Sequence, residues 1–447
     1  MGEQRTCCRI MKTYTTTKQT IAEIAAAIGP AALGDMAEQD AQVREIVEQV
    51  RRRGDAALCE YLERFDHVRL SPEKLKVREE EFRAARPRVG KAFEKALALA
   101  ADNIRRFHQK QRPADWFDLE RAGNVVGEKF TPIQKVGIHI PGASAPLPSS
   151  VLMTVIPAQV AGVKEIYLAT PPDRKGNINP AILATADFLG VHEVFKVAGA
   201  QAIAAFAYGT KTVPKVDKIF GPGNIYTTLA KRLVFGVVGV EGLYGPSEVV
   251  IIADGEARAA WVAADLLAQA EHGCDSPAIL ISPSRALIEA VKLEINKQAR
   301  RLPRQGVAWQ AWTKRGALVL VRDLAEGLAL SDLIAPEHLE LQVENPLAYL
   351  GSIRNAGCIL LGSHSPAAVS DYIAGPSHCL PTGRSAAYSS GLGVMDFMKR
   401  AHVVSISPPC LAEWAEHIRQ FTAVEGLEGH YRAVEMRVRR LTAKKTK

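Results

Sequence analysis

The chain has 447 residues, 47% of them hydrophobic and 23% charged, an ordinary composition for a globular protein with enough apolar material for a sizeable core. Its formal charge of +8 is spread over 56 basic and 48 acidic residues, and with five Trp and no aromatic residues among the basic runs this argues against a nucleic-acid surface, leaving an anionic small ligand open. Seven Cys without a C-x-x-C pair argue for a reducing compartment, the cytoplasm being expected, and against a thiolate metal site; no apolar run approaches the roughly 18 residues needed to span a bilayer.

The opening Met1-Gly2-Glu-Gln-Arg-Thr6 fits the loose pattern for acylation at Gly2, with Cys7 and Cys8 available for a second chain. A leader without fixed structure, with translation starting at Met11, is the preferred expectation. Apolar residues at Ile21, Ile24, Ala25 and Ile28 predict a helix stopped by Gly29-Pro30, and Ala41 to Phe65 carries Val43, Ile46, Val47, Val50, Leu58 and Leu62 at helical spacing. Glu79 to Lys110 is a further helical region, broken at Pro87.

At Val136 the texture changes to short apolar runs ended by Gly or Pro: Val136–Ile140, Glu165–Ala169, Glu193–Val197 and Lys218–Phe220, with helical patterns between them. That alternation predicts a parallel α/β domain over residues 137–248, with ligands bound by the loops at the carboxyl ends of its strands. Three such loops are rich in Gly, Pro and amides: 141–146, Gly199-Ala-Gln201 and Gly221-Pro-Gly-Asn224. A second alternating set, with strands at Glu248–Ala253, Ala278–Ile281, Ala317–Val321 and Cys358–Leu361, is expected to group with the preceding helices as 39–136 plus 249–390. The first 38 residues would form an N-terminal helical segment, and 391–447 a small C-terminal domain with an amphipathic helix from Leu411 to Phe421.

Gly-x-Gly-x-x-Gly, the Walker phosphate loop and the Gly-x-Ser-x-Gly elbow are all absent, so pattern alone does not point to a dinucleotide. Gln269 and His272, three apart at the end of an apolar helix before Gly273, would point from one face, although helix-end polar groups also cap or simply face water. Glu337-His338 sets a carboxylate beside an imidazole just past Pro336, a pairing suited to moving a proton and activating water. Asp371 and His378 offer a further carboxylate and imidazole.

Seven collinear motifs then coincide: Gly-Ala-Gln-Ala-Ile-Ala-Ala at 199–205, Phe-Gly-Pro-Gly-Asn at 220–224, Gly-Pro-Ser-Glu at 245–248, Gln-Ala-Glu-His-Gly at 269–273, Ala-Pro-Glu-His-Leu-Glu at 335–340, Asp-Tyr-x-Ala-Gly-Pro-x-His-x-Leu-Pro-Thr at 371–382 and Glu-Gly-Leu-x-x-His at 425–430. Over roughly residues 20–440 the chain resembles the histidinol dehydrogenases. The resemblance implies an α/β fold of two incomplete Rossmann-like domains, parallel sheets flanked by helices, aldehyde dehydrogenase-like overall. It also implies one Zn²⁺ per subunit, held by Gln269, His272, Asp371 and His430, and NAD⁺ contacts at His139, Gln201 and Asn224. Ser247, His378 and Glu425 correspond to substrate contacts, as do the metal-site residues and the Glu337-His338 pair.

In the resemblance His338 is the base of two successive hydride transfers and Glu337 activates water on the intermediate aldehyde, so that L-histidinol becomes L-histidine through bound L-histidinal. A homodimer is implied too, each C-terminal segment completing the partner's site with Glu425 and His430. The chain departs from the family pattern at His139, where Tyr is usual, at Glu241-Gly-Leu-Tyr244, where Tyr244 replaces Ala, at Ser377 and at Ser363-His364. The alternatives are a related zinc- and NAD-dependent dehydrogenase of another small polar alcohol or diol, and a non-catalytic metal or amino-acid binding protein; the Glu337-His338 pair speaks against the latter.

Overall fold

The computed structural model describes residues 12–29, 36–119, 123–142 and 145–445. The leader with Gly2, Cys7, Cys8 and Met11 lies outside the described residues, as do residues 143–144 of the first loop. In chain order the structure begins with β1 (Thr13–Thr15), α1 (Ile21–Ile28), α2 (Ala37–Arg53), α3 (Asp55–Tyr61), α4 (Glu79–Ala85), α5 (Lys91–Gln109), β2 (Trp116–Leu119) and β3 (Val125–Pro132). Next come β4 (Lys135–His139), α6 (Pro148–Ala161), β5 (Glu165–Ala169), α7 (Pro180–Phe188), β6 (Val194–Phe195), α8 (Gly199–Tyr208), β7 (Lys218–Phe220), α9 (Ile225–Val234) and β8 (Gly239–Val240). Then follow β9 (Val249–Ala253), α10 (Ala259–Ala270), β10 (Ala278–Ser282), α11 (Arg285–Ala299), α12 (Gln305–Arg315), β11 (Gly316–Leu320), α13 (Leu324–Ile334), β12 (His338–Gln342), β13 (Cys358–Leu361) and α14 (Ala367–Tyr372). The chain closes with β14 (Met398–Ser405), α15 (Pro408–Glu425) and α16 (Glu428–Lys445).

Contacts divide the chain into two compact units, one of residues 1–111 with 133–397 and the other of 112–132 with 398–447. The larger unit holds two parallel sheets. One has the order β6-β5-β4-β7-β8, the other β1-β11-β10-β9-β12-β13. Edge strand β1 apart, each is built outward from an inner strand, β4 or β9, with two strands laid to one side before the chain crosses to build on the other. The topological switch therefore falls between β4 and β7 in the first sheet and between β9 and β12 in the second.

The fully buried strand β9, Val-Val-Ile-Ile-Ala, splits its side chains between two cores, as a two-residue period demands. Val250 and Ile252 join Ile24 and Ile28 of α1 and Leu328 and Leu330 of α13 on one face. Val249 and Ile251 join Leu266 and Leu267 of α10 and Ile288 and Val291 of α11 on the other. By the same alternation His338, Glu340 and Gln342 of neighbouring β12 face the α10 side, so a buried strand carries one wholly polar face.

Two expected groupings change. The stripe Val43, Ile46, Val47 and Val50 of α2 packs with Phe206 and Leu229 of α8 and α9 on the five-stranded sheet, not with residues 249–390. An amphipathic helix specifies that it needs a sheet, not which one. The first 38 residues are not a separate segment either, because β1 pairs with β11 and α1 packs on the six-stranded sheet.

The smaller unit is a three-stranded antiparallel sheet, β14-β3-β2, followed in the chain by α15 and α16, which pack together. Its β2–β3 hairpin has no counterpart among the strands expected from the sequence. No helix among the described residues is long and apolar enough to cross a membrane.

Candidate active site

At the switch point of the five-stranded sheet, β4 ends in His139 and β7 runs into Gly221. Gly221 has φ +102°, and any Cβ there would collide with the carbonyl of His139, so only glycine lets the two strands' loops approach this closely. His139 is buried and both its ring nitrogens are engaged: Nδ1–H donates to the Pro222 carbonyl (2.8 Å) and Nε2 accepts from the Gly199 N–H (3.0 Å). Burial, reinforced by the charge of Lys231 and only partly offset by the bond to Pro222, pushes its pKa down to about 4. A neutral imidazole thus ties the loop entering α8 to the loop entering α9 through two separate ring nitrogens, where Tyr would offer a single oxygen.

Gln201 lies buried in the first turn of α8, and Asn224 caps α9, its Oδ1 accepting from Thr227 N–H (3.1 Å). Below the loop, Lys231 donates to the Gly221 carbonyl and to Glu241 Oε1 (2.8 Å), which in turn accepts the Gly221 N–H (2.7 Å). Tyr244, the enlarged position, lays its ring over Lys231 at 5.4 Å. The other departures are likewise employed in packing. Ser377 bonds Met153 O (3.0 Å), and His364 meets the edge of Trp261 (5.4 Å).

The acid–base pair sits at the opposite kind of strand end. Glu337 and His338 lie at the amino end of β12, paired with the amino end of β9, where Glu248 precedes Val249. His338 Nδ1 is 3.3 Å from the Glu248 carbonyl and 3.6 Å from Glu337 Oε2; its Nε2, with no hydrogen-bond partner, lies 3.5 Å from Asp371 Oδ1. An Nδ1–H directed at the carbonyl leaves Nε2 as the nitrogen that can take a proton. Burial opposes a charge on His338, but the carboxylates of Glu337 and Asp371 outweigh it and raise the pKa of the imidazole, so the ring must first give up a proton before Nε2 can act as a base.

Gln269 closes α10, buried, with its Nε2 unpartnered, and His272 follows in the exposed turn. Asp371, near the end of α14, is held below the usual carboxylate range: burial works the other way, but the nearby imidazole of His338 and the charges of His378 and His272 prevail. His378 Nδ1–H donates to the Asp371 carbonyl (3.0 Å), which in the neutral ring leaves Nε2 to accept from the Ser150 hydroxyl (3.1 Å), and burial lowers its pKa. Ser247 is half-buried, immediately before Glu248. Glu425 and His430, in contrast, are exposed on the smaller unit, so one chain's larger unit carries three of the four expected metal ligands.

Ser150 opens α6, just after the loop of β4, so its bond to His378 brings the carboxyl end of the five-stranded sheet to the amino end of the six-stranded one. Thr382 Oγ1 accepts from Gly245 N–H and Thr228 Oγ1 donates to the Tyr244 carbonyl (2.6 Å), stitching the same seam. The loops at the switch point of the five-stranded sheet and the Glu337-His338 pair are thereby held against each other.

Among the described residues no group of three or more His, Cys, Asp or Glu is gathered closely enough to hold a metal ion. What the larger unit offers is an amide with an unsatisfied buried end, an ionised carboxylate and an exposed imidazole. That N/O donor set fits zinc but needs a further ligand.

The residue sequence reasoning did not single out is Glu248. It was legible only as the last letter of Gly-Pro-Ser-Glu, because a Glu before a strand gives no hint of burial; in the structure it is 2% exposed and bonded to Glu337.

Comparison with known proteins agrees with this arrangement. The family model for histidinol dehydrogenase matches residues 32–438. The chain is 48% identical to the histidinol dehydrogenase of Gloeobacter violaceus over 400 residues, covering 90% of each chain. It is 47% identical to that of Geobacillus kaustophilus over 401 residues, 90% of this chain and 94% of the relative. The crystal structure of histidinol dehydrogenase from Elizabethkingia anophelis superimposes with a TM-score of 0.92 at 36% identity, covering 97% of this chain and 99% of that one. With matches spanning both sheets and the smaller unit, the chain belongs to the histidinol dehydrogenase family, oxidoreductases of histidine biosynthesis.

Proposed function

We propose that the protein carries out the NAD⁺-dependent four-electron oxidation of L-histidinol to L-histidine through L-histidinal that stays bound, with one Zn²⁺ per subunit. The observation that carries this reading is the buried Glu337-His338 pair beside Asp371, facing the loops of a Rossmann-like switch point. His338 Nε2 takes the alcohol proton as hydride leaves, and its Nδ1–H stays on the Glu248 carbonyl through both oxidations. Glu337 takes a proton from the water that adds to the aldehyde. Glu425, reaching over from a second subunit, accepts the imidazole N–H of the substrate.

Bound zinc would be held by Gln269, His272, Asp371 and a His430 from the second subunit, and would supply fixed positions for the substrate's nitrogens. NAD⁺ would lie against Gln201 and Asn224 and accept the hydrides, while His139 shapes the two loops that receive it. Residues 137–248 then serve as the NAD-binding portion, and the smaller unit completes the partner's site.

The test is to supply purified protein with L-histidinol and NAD⁺, with and without a chelator, and count NADH per substrate consumed. Two NADH, lost on chelation, is the expected result. No turnover would sink the reading, and one NADH would mean that the aldehyde escapes and that Glu337 does not activate water.

A further inference from the structure

Glu248 and Glu337 hold each other by an exchange of backbone and side chain. The Glu248 N–H donates to Glu337 Oε2 (2.8 Å), and the Glu337 N–H donates to Glu248 Oε1 (3.2 Å). The same Oε1 accepts from Gly383 N–H (3.2 Å), so one buried oxygen anchors both the amino end of β12 and the loop after Thr382. Glu248 is 2% exposed and Glu337 4%. A carboxyl group in such a place is costly unless it has a task, since its Oε2 is buried without a partner. Burial first, and the charge of Glu337 second, hold Glu248 well above the ordinary carboxyl range, against the pull of the two amide bonds. A neutral Glu248 places no second negative charge beside Glu337.

The division of labour within Glu248 is what makes it informative. Its backbone carbonyl faces His338, 3.3 Å from both the ring Nδ1 and the main-chain nitrogen, whereas its side chain touches only the amides of Glu337 and Gly383. Replacing the side chain leaves in place the carbonyl that orients His338 and the N–H that holds Glu337 Oε2, and removes the anchor of the Glu337 main chain.

We propose that the Glu248 side chain is a positioning residue for the second oxidation, anchoring the main chain at Glu337 and so setting where the Glu337 carboxylate takes a proton from the water that adds to the bound aldehyde. The inference rests on the four-electron reading above. In the step concerned, the water oxygen forms a bond to the aldehyde carbon, one water proton passes to Glu337, and the carbonyl oxygen takes the proton that His338 gained from the alcohol and becomes the second hydroxyl of the hydrate. The hydrate then loses hydride to the second NAD⁺ and a proton to His338.

The experiment compares holoenzyme carrying Glu248→Ala, Glu248→Gln or no change, assayed separately with L-histidinol and with L-histidinal, and scored for NADH per histidinol. Glu248→Ala is expected to lower kcat for the aldehyde about a hundredfold, the cost of an ångström-scale misplacement, with the alcohol step changed about threefold or less and the NADH ratio falling from two toward one. Glu248→Gln keeps the Oε1 acceptor and should retain the two-NADH stoichiometry. Equal losses in the two half-reactions, or a Gln variant as defective as the Ala variant, would overturn the proposal. Where Glu248→Ala does not fold, Glu248→Asp, one methylene short of both amides, carries the same comparison. A wild type that fails to yield two NADH would instead refute the four-electron reading, so the two failures are told apart.

Discussion

Lys231 and Glu241 form an ion pair whose side chains are 2% and 1% exposed, directly beneath the glycine that joins β7 to its ligand-facing loop. Burial raises the carboxyl pKa of Glu241 in spite of the neighbouring ammonium, which marks the pair as costly to keep. Both partners bond Gly221, so the pair fixes a loop more than it stabilises a core. Lys231→Met is expected to cost about 3 kcal/mol in urea unfolding, and adding Glu241→Gln to recover part of it, because no charge is then left unpaired. An unchanged midpoint in the single variant would contradict this account.

His139 makes the stability of the protein depend on pH in a definite direction. Its folded pKa of about 4 lies below the ordinary value of 6.5, so on acidification the unfolded chain takes up a proton that the folded one refuses. The neutral ring's contribution is full above about pH 6.5 and declines by roughly 3 kcal/mol as the pH falls toward 4. Unfolding midpoints of wild type and His139→Gln, measured at pH 7 and pH 4.5, should converge at the lower pH. Parallel curves would show that the imidazole is not held neutral.

On the polar face of β12, Gln342 Nε2 donates to both Asp265 Oδ2 (2.7 Å) and Glu340 Oε2 (3.0 Å), and Glu340 Oε1 accepts from Ala367 N–H (2.8 Å). This knot joins α10, whose last turn holds Gln269, to α14, which carries Asp371. Burial raises Asp265 to about 6 and Glu340 to about 8. Carboxyls with raised folded pKa values stabilise below their unfolded pKa and lose that contribution as the pH climbs through the folded value. Gln342→Leu removes the shared donor and should cost about 1–3 kcal/mol, more at pH 8.5 than at pH 6. A loss independent of pH, read from urea melts, would count against a shared carboxyl pair.

If the exposed Glu425 and His430 serve a neighbouring subunit, activity should be recoverable from two dead proteins. His430→Ala and His338→Ala are each expected to be inactive, and a refolded mixture should regain about a quarter of wild-type activity, one intact site among four at random association. Absence of any recovery, with mixed dimers verified by mass spectrometry, would argue that each chain builds its own site.

Much of the scaffold was legible in the sequence because its strands are short apolar runs bounded by Gly or Pro and its helices carry regular stripes. β1 escaped notice because three residues, Thr13 to Thr15, carry no period, and their pairing partner β11 lies some three hundred positions away. The β2–β3 hairpin was hidden by mixed texture: Trp116 to Leu119 is exposed throughout, so no alternation marks it. Gln269 and His272 were placed correctly at a helix end, yet their spacing contained nothing about Asp371, which a different helix brings to His338. Nor did the expectation that ligands gather at carboxyl ends of strands foretell that Glu337 and His338 would work from an amino end. Sequence order conceals that the two sheets meet end to end.

The β14-β3-β2 sheet joins a hairpin at residues 116–132 to a strand at 398–405, with every strand of the two large sheets except β1 lying between them in the chain. During synthesis the hairpin emerges early and waits, one edge unpaired, until nearly the whole polypeptide has left the ribosome. The smaller unit is therefore the last part of the subunit to assemble. If the exposed Glu425 and His430 complete a neighbour's site, as proposed, catalytic competence would be gained only by chains whose synthesis had run to its end.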